Sequence, residues 1–196
     1  MDGFLAATAI SFGVIFVAEL GDKSQLMAMT FATRFKMWPV LIGITAATAV
    51  VHLVSVGIGY GLGVALPTGW ISLVAALAFF GFAIWTVRGD SLSEDESRQA
   101  QRTTRSAIIA VFVAFFLAEL GDKTMLATIT LATRHGWFGT WLGSTLGMVA
   151  ADALAIVVGR MLGKRLPERV IAYGAAVLFV LFGCWLLVEA ILELTR

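Results

Sequence analysis

Six apolar runs, each long enough to cross a lipid bilayer as a helix, occupy most of this 196-residue chain. A transmembrane helix needs about 20 consecutive, mainly apolar residues. Hydrophobic residues make up 59% of the sequence and charged residues only 14%, whereas a soluble domain has about 25% charged residues. We therefore expect an all-α membrane protein with six transmembrane helices, at residues 4–33, 38–63, 69–88, 106–133, 137–162 and 169–192.

The two halves of the chain are copies of one another, aligned without gaps at an offset of one hundred residues. The sequence Glu-Leu-Gly-Asp-Lys-Ser at 19–24 matches Glu-Leu-Gly-Asp-Lys-Thr at 119–124. Other matching pairs include Gly43 and Gly143, Pro67 and Pro167, and Trp85 and Trp185. The duplication predicts a first three-helix repeat at 1–88, a linker loop at 89–105, and a second three-helix repeat at 106–196.

The basic residues predict that the repeats are inverted relative to one another. Because each repeat has an odd number of helices, the second copy enters the membrane from the opposite side. The loops after the first, third and fifth spans, with the adjoining helix ends, carry Arg34, Lys36, Arg88, Arg98, Arg102, Arg105, Arg160, Lys164, Arg165 and Arg169. The opposite face carries only Arg134 and Arg196. Cytoplasmic loops are rich in Lys and Arg, so we expect loop 89–105 in the cytoplasm and both termini outside. Two inverted-topology three-helix repeats are typical of secondary transporters.

Charged residues lie in the middle of the first and fourth spans. A helix of about 30 residues extends about 45 Å, whereas the hydrocarbon core is about 30 Å thick. The charged blocks at 19–23 and 119–123 lie near the centres of these runs, and each contains a glycine, Gly21 or Gly121. We predict discontinuous helices that break near the bilayer midplane, where exposed backbone is tolerated only if it lines a cavity.

The carboxylates of these blocks predict a site for a divalent cation. One charge at the bilayer centre costs roughly 2.5–3.5 kcal/mol, so the charged groups are expected to converge away from lipid. On a helix, Glu19 and Asp22 share a face, as do Glu119 and Asp122. Four carboxylates suit a hard cation such as Ca²⁺, Mn²⁺ or Mg²⁺. The alternative is a buried ion-pair staple, which would not require the same spacing in both halves.

The charge of the site favours exchange of the metal for protons. Four carboxylates with the ammonium groups of Lys23 and Lys123 sum to −2, which one divalent cation or two protons would neutralise. Crowded carboxylates hold protons when a metal leaves, so we predict metal/proton antiport. Each lysine either neutralises the glutamate four residues before it or acts as an internal cation that competes with the metal.

Residues close to the charged blocks are further candidates. Ser24 and Thr124 either provide hydroxyl ligands or cap the second half-helices. Gln25 and Met125 occupy equivalent positions and break the symmetry, and Met125 either offers a thioether to Mn²⁺ or packs as an apolar residue. The threonines one or two turns further on either line the pathway or form helix hydrogen bonds; these are Thr30, Thr33, Thr130 and Thr133.

Two intramembrane ionisable residues, His52 and Asp152, occupy equivalent positions in the second and fifth spans. Such residues are functional candidates by default. They form either a proton relay or a hydrogen-bonded contact between helices. Nearby glycines predict close helix packing; they are Gly57, Gly59, Gly61, Gly63, Gly139, Gly143 and Gly147.

The blocks at 19–24 and 119–124 resemble the paired E-x-G-D-K-[ST] motifs of the GDT-type cation/H⁺ exchangers, also called uncharacterised protein family 0016. Both motifs match completely, and the resemblance spans essentially the whole chain. It implies transport of Mn²⁺, Ca²⁺ or both against protons, with the metal as substrate and no cofactor. By position it implies the metal ligands Glu19, Asp22, Glu119 and Asp122, with Lys23, Ser24, Lys123 and Thr124 in the motif. Eukaryotic members have an additional N-terminal segment not seen in this sequence, so a bacterial plasma membrane is the expected location.

The expected function is therefore export of Mn²⁺, or of Ca²⁺, in exchange for H⁺, rather than enzymatic catalysis. The expected partners are the divalent cation, protons and the lipid bilayer; a net charge of +1 offers no basic face to nucleic acid. A membrane enzyme acting on a lipid phosphate is one alternative. It would need phosphate-binding groups near the acids, but Arg34 and Arg134 are about 18 Å along a helix from the motif aspartates. An organic-solute exporter, the other alternative, would need an anchor for the solute carboxylate.

Overall fold

The computed structural model describes residues 2–88, 106–162 and 168–195, and all regular secondary structure in these ranges is helical. The predicted linker 89–105 lies outside the described residues. Within these ranges the helices are α1 (Asp2–Glu19), α2 (Lys23–Arg34), α3 (Met37–Ala65), α4 (Thr68–Arg88), α5 (Ala107–Glu119), α6 (Lys123–Ala132), α7 (Trp137–Leu162) and α8 (Glu168–Leu194).

Local chemistry explains where several of these helices begin and end. Pro67 separates α3 from α4, because proline lacks the backbone N–H that a continuing helix would use. Ser106 precedes α5, and its hydroxyl oxygen accepts a hydrogen bond from the backbone N–H of Ile109 at 3.5 Å. A serine side chain at this position satisfies one of the free N–H groups of the first turn.

Among the described residues, four helices are long and apolar enough to cross a membrane singly: α3, α4, and the segments Trp137–Gly159 of α7 and Tyr173–Leu194 of α8. Helices α1 and α2 meet this condition only together, as a pair bent by 76°. Helix α5 is apolar but has only 13 residues. The predicted spans 4–33 and 106–133 are thus each two helices, and the structure gives four or five candidate spans.

The surface of the described helices is apolar, as a lipid environment requires. Trp38, Val64 and Met161 are each at least 75% exposed, and large aliphatic side chains along α3, α4 and α8 are also exposed. A soluble monomer rarely exposes a contiguous apolar patch larger than a few hundred Å². The chain is therefore a membrane protein.

The helix contacts are symmetric under exchange of the two halves. Helix α1 packs against α7, and its equivalent α5 packs against α3. Helix α2 contacts α7, as its equivalent α6 contacts α3, and α4 packs along its own equivalent, α8. The sequence duplication thus corresponds to matching helix contacts in the two halves.

An aromatic cluster at the α4–α8 interface shows the same symmetry. Phe79 and Phe82 of α4 contact their equivalents Phe179 and Phe182 of α8, with ring centroids 5.6–6.1 Å apart. Such aromatic pairs are each worth about 0.5–1.5 kcal/mol beyond the area they bury. The cluster therefore joins the two halves away from the charged motifs.

Glycines allow α7 to lie directly against α1, as predicted. A side chain at Gly143 would meet the carbonyl oxygen of Thr8, and one at Gly147 would lie 2.6 Å from the carbonyl oxygen of Phe12. Gly43, the equivalent of Gly143, lies in the same way against Ile108 and Val111 of α5. The prediction of close packing also holds for Gly59 and Gly63, which face α6, but not for Gly57 and Gly61, which have open space beside them.

We expect Gly143→Ala to destabilise the protein by about 1–3 kcal/mol, because the added methyl group pushes the α1 backbone away from α7. The matched control is Gly57→Ala, where an added methyl group meets nothing within 4 Å. That variant is expected to be neutral, or more stable by roughly 0.5–1 kcal/mol, because alanine favours a helix over glycine. Thermal unfolding in detergent micelles measures both, and equal melting temperatures would contradict the packing.

Candidate metal site

Two breaks in the helices position the charged motifs. Helices α1 and α2 end and begin on either side of Gly21, and α5 and α6 on either side of Gly121. The φ angles are 76° at Gly21 and 79° at Gly121, in the left-handed region that glycine adopts without a steric penalty. The predicted discontinuous helices are thereby confirmed. The expectation that Glu19 and Asp22 share one helical face is wrong, because the helix ends between them.

The residue four positions after each glycine stabilises the break. The backbone N–H of Gly21 donates to Oε1 of Gln25 at 2.9 Å, and that of Gly121 donates to Sδ of Met125 at 3.2 Å. Nε2 of Gln25 also donates to the carbonyl oxygen of Ala151 at 3.1 Å, which ties the first break to α7. The sequence did not lead us to predict that Gln25 and Met125 hold the breaks, although their equal distance of four residues from Gly21 and Gly121 is a signal for this role.

The motif hydroxyls hold the glutamates. Ser24 Oγ donates to Oε1 of Glu19, and Thr124 Oγ1 donates to Oε2 of Glu119 at 2.7 Å. The N-cap positions of α2 and α6 are Asp22 and Asp122, so the interpretation of the hydroxyls as helix caps is wrong. Each hydroxyl instead fixes the orientation of a carboxylate across the helix break.

Ion pairs cross between the two halves. Lys123 Nζ pairs with Oδ1 of Asp22, and Lys23 Nζ lies 3.3 Å from Oδ1 of Asp122. Lys123 is only 2% exposed, whereas the Lys23 side chain is 15% exposed. For Lys123, the interpretation that it neutralises Glu119 four residues earlier is wrong, since its charge is balanced by an aspartate of the other half.

The predicted acidic residues lie together and buried. Glu19, Asp22, Glu119 and Asp122 are each at most 3% exposed. The charge of Glu19 interacts with those of Glu119 and Asp22, and the charge of Glu119 interacts with those of Asp22 and Asp122. Within the described ranges, no three or more His, Cys, Asp or Glu side chains converge on one point at metal-binding distance. The lysine ammonium groups are the cations that the aspartates contact.

Asp152 joins this acidic cluster. It is fully buried in α7 and interacts electrostatically with Asp22, Glu19 and Glu119. Its two carboxylate oxygens and both ring nitrogens of the buried His52 have no hydrogen-bond partner among the described residues. The hydrogen bond between His52 and Asp152, one of the two alternatives from the sequence, is therefore not formed, and the proton relay stays a prediction.

The threonines beyond the motifs are used within their own helices. Thr30 donates to the carbonyl oxygen of Leu26 and Thr130 to that of Leu126, at 2.8 and 2.9 Å, while Thr33 and Thr133 each donate to the threonine three residues earlier. Thr130 also lines a cavity of about 220 Å³. In that cavity Arg134 pairs with Glu189 of α8, which balances its charge.

Both halves of the chain match one protein family. The family is described as "Divalent cation/proton antiporter GDT1", and the match covers residues 7–94 and 107–194. A chain with apolar membrane helices and buried carboxylates, matched over both halves, is a transmembrane transporter of divalent cations. It belongs to the GDT1 family of divalent cation/proton antiporters.

Relatives from bacteria and plants support this assignment. A Vibrio cholerae serotype O1 protein named "Putative manganese exporter" is 32% identical over 182 residues, covering 91% of this chain and 89% of the relative. "GDT1-like protein 2, chloroplastic" of Oryza sativa is 34% identical over 210 residues, covering 92% of this chain and 59% of the relative. "GDT1-like protein 5" of Arabidopsis thaliana is 25% identical over 218 residues, covering 93% and 96%. No solved structure matches the chain.

We expect Lys123→Met to destabilise the protein by about 3–5 kcal/mol, because Asp22 is left as an uncompensated buried charge. The double variant Lys123→Met/Asp22→Asn should cost less than the sum of the two single variants, by about 0.5–3 kcal/mol. Arg134→Met breaks an ion pair whose side chains are 20% and 31% exposed, so it should cost only about 0–1 kcal/mol. Chemical unfolding in micelles, followed by tryptophan fluorescence, gives all four values, and strict additivity would contradict the buried pair.

Proposed function

We propose that this protein exports Mn²⁺, with Ca²⁺ as the alternative substrate, in exchange for H⁺. The proposed binding groups are the carboxylates of Glu19, Asp22, Glu119 and Asp122. The observation that carries the proposal is the buried set of crossed ion pairs, in which each half supplies the cation that the aspartate of the other half binds. A cluster that already holds two cationic groups between two halves is suited to exchange cations.

The chemistry of the ligands favours a hard divalent ion. Carboxylate and hydroxyl oxygens suit Mn²⁺ and Ca²⁺, whereas soft metals prefer thiolates. The chain has one cysteine, Cys184, which is exposed in α8 rather than near the motifs. The name of the Vibrio cholerae relative supports Mn²⁺ as the first substrate to test.

Charge neutrality couples the metal to protons. Several carboxylates crowded in a buried site cannot all remain ionised without compensating cations. A divalent ion that enters the cluster competes with the ammonium groups of Lys23 and Lys123 and with protons on the carboxylates. Departure of the metal allows the lysines and protons to return, so metal and protons occupy the site in turn.

The packing supports alternating access by two oppositely oriented halves. Helices α2 and α6 begin directly after Asp22 and Asp122. The partial positive charge at each helix N-terminus stabilises the neighbouring carboxylate. Because the contacts exchange symmetrically between halves, a rocking motion of one half against the other would open the site to either side. We propose a plasma-membrane location, with the 89–105 loop in the cytoplasm and both termini outside.

The test is flux in sealed proteoliposomes that contain a pH-sensitive dye and a Mn²⁺-sensitive dye. An acidic interior should drive Mn²⁺ inward, with a matching loss of interior protons, because each metal ion that enters displaces protons from the carboxylates. Asp22→Asn and Asp122→Asn should each abolish both signals. Cys184→Ser, at an exposed position away from the motifs, is the matched control and should transport normally.

The outcomes separate the parts of this proposal. Mn²⁺ flux without proton movement would contradict exchange, and undiminished flux in both asparagine variants would contradict the assigned site. The same vesicles supplied with Ca²⁺ in place of Mn²⁺ establish which ion is preferred. Expression in a bacterial host that lacks its own Mn²⁺ exporter should restore growth in high Mn²⁺ for the wild-type chain and for Cys184→Ser, but not for Asp22→Asn or Asp122→Asn.

A further inference from the structure

Asp152 is a fully buried carboxylate with no partner for either oxygen among the described residues. More than about 90% of buried polar groups in proteins are hydrogen-bonded, so an exception calls for an explanation. A structural aspartate in a membrane helix would be held by a donor from its own or a neighbouring helix. Asp152 has no such donor among the described residues, although its charge interacts with those of other acidic groups.

The carboxylates of the cluster differ in how their oxygens are used. The motif aspartates, Asp22 and Asp122, contact the crossed lysines. Each motif glutamate uses one oxygen to accept a hydroxyl hydrogen bond, and its other oxygen, Oε2 of Glu19 or Oε1 of Glu119, has no hydrogen-bond partner among the described residues. Together with both oxygens of Asp152, these are buried acceptors outside the lysine–aspartate pairs.

The fold brings Asp152 to the first helix break, because Gln25, which accepts a hydrogen bond from the N–H of Gly21, also donates to the carbonyl oxygen of Ala151. Glu19 interacts electrostatically with Glu119 and with Asp152, and Glu119 interacts with Asp152. Oxygens that lack donors and lie in one buried cluster offer lone pairs to a cation without first breaking a lysine ion pair. The three acids do not surround a single point at ligand distance, so side-chain rotation would bring them onto the ion.

We propose that Asp152 is a fifth carboxylate ligand of the transported divalent cation, and that the ion first binds Glu19, Glu119 and Asp152 while the lysines remain on the motif aspartates. This inference rests on the proposed function and adds to it a ligand outside the duplicated motifs. In the first half the equivalent position is His52, which supplies no carboxylate. The site is therefore asymmetric, and the ion lies nearer to α7 than to α3.

Direct metal binding by the full-length chain, purified in detergent, tests this proposal. Electron paramagnetic resonance follows the loss of the free Mn²⁺ signal as protein is added. Asp152→Asn keeps the shape of the side chain and removes its charge. It should weaken Mn²⁺ binding by at least about 10-fold, because loss of a group that only supports a metal ligand already costs about 10–100-fold. Asp152→Glu keeps the carboxylate and should recover part of the affinity.

The matched control is Thr140→Val. Thr140 lies on the same helix, is fully buried, and has a hydroxyl without a hydrogen-bond partner among the described residues. Its position twelve residues from Asp152 places it about 18 Å away along the helix. This variant should bind Mn²⁺ within twofold of wild type, which separates loss of a ligand from a general effect of changing a buried polar group.

The results distinguish this inference from the proposed function. If the wild-type chain binds no Mn²⁺ or Ca²⁺, the proposed function fails. If wild type and Asp152→Asn bind with equal affinity, only the fifth ligand is refuted, and lower thermal stability with unchanged affinity would assign Asp152 a structural role instead. Should Asp152→Asn not fold, Asp152→Ser gives the same comparison, with its fold checked by gel filtration.

Discussion

Neutralisation of charge inside the membrane is the constraint on which the rest of this structure depends. The motif acids and Lys123 are almost completely buried, and each charge would cost several kcal/mol if it faced lipid alone. The cost is offset by pairing across the molecule, where the lysine of one half meets the aspartate of the other. The two halves must therefore associate for either motif to be tolerated, and the site lies at their interface.

The backbone features of the fold serve this arrangement. The breaks at Gly21 and Gly121 turn the chain so that each motif projects from the start of a short second helix. The close approach of α1 to α7 and of α5 to α3, which Gly143 and Gly43 permit, brings the breaks near the opposite half. A site made of two halves responds directly to their relative motion, which is the property that a transporter needs.

The departures from symmetry are as informative as the symmetry. Where the first half has Gln25, which links its break to α7, the second half has Met125, whose sulfur accepts only the backbone N–H of Gly121 among the contacts described. Where the second half has the carboxylate of Asp152, the first has the imidazole of His52, and within the described ranges neither side chain has a hydrogen-bond partner. The two halves thus share the lysine–aspartate framework but supply different groups around it, so a cation bound between them has unequal surroundings.

The sequence by itself determined the membrane class, the duplication, the two helix breaks and the identity of the buried acids, because hydropathy, repeat spacing and glycine position act locally. Only the tertiary structure decided which partner each charged group takes. The spacing of four between Glu119 and Lys123 predicts a contact on a continuous helix, but the helix ends between them, and Lys123 therefore reaches Asp22 instead. The same break directs Thr124 to Glu119 rather than to a helix cap, and the packing of α7 against α2 brings Asp152 beside the first helix break. Contacts between distant segments depend on how whole helices are oriented, which local spacing does not specify.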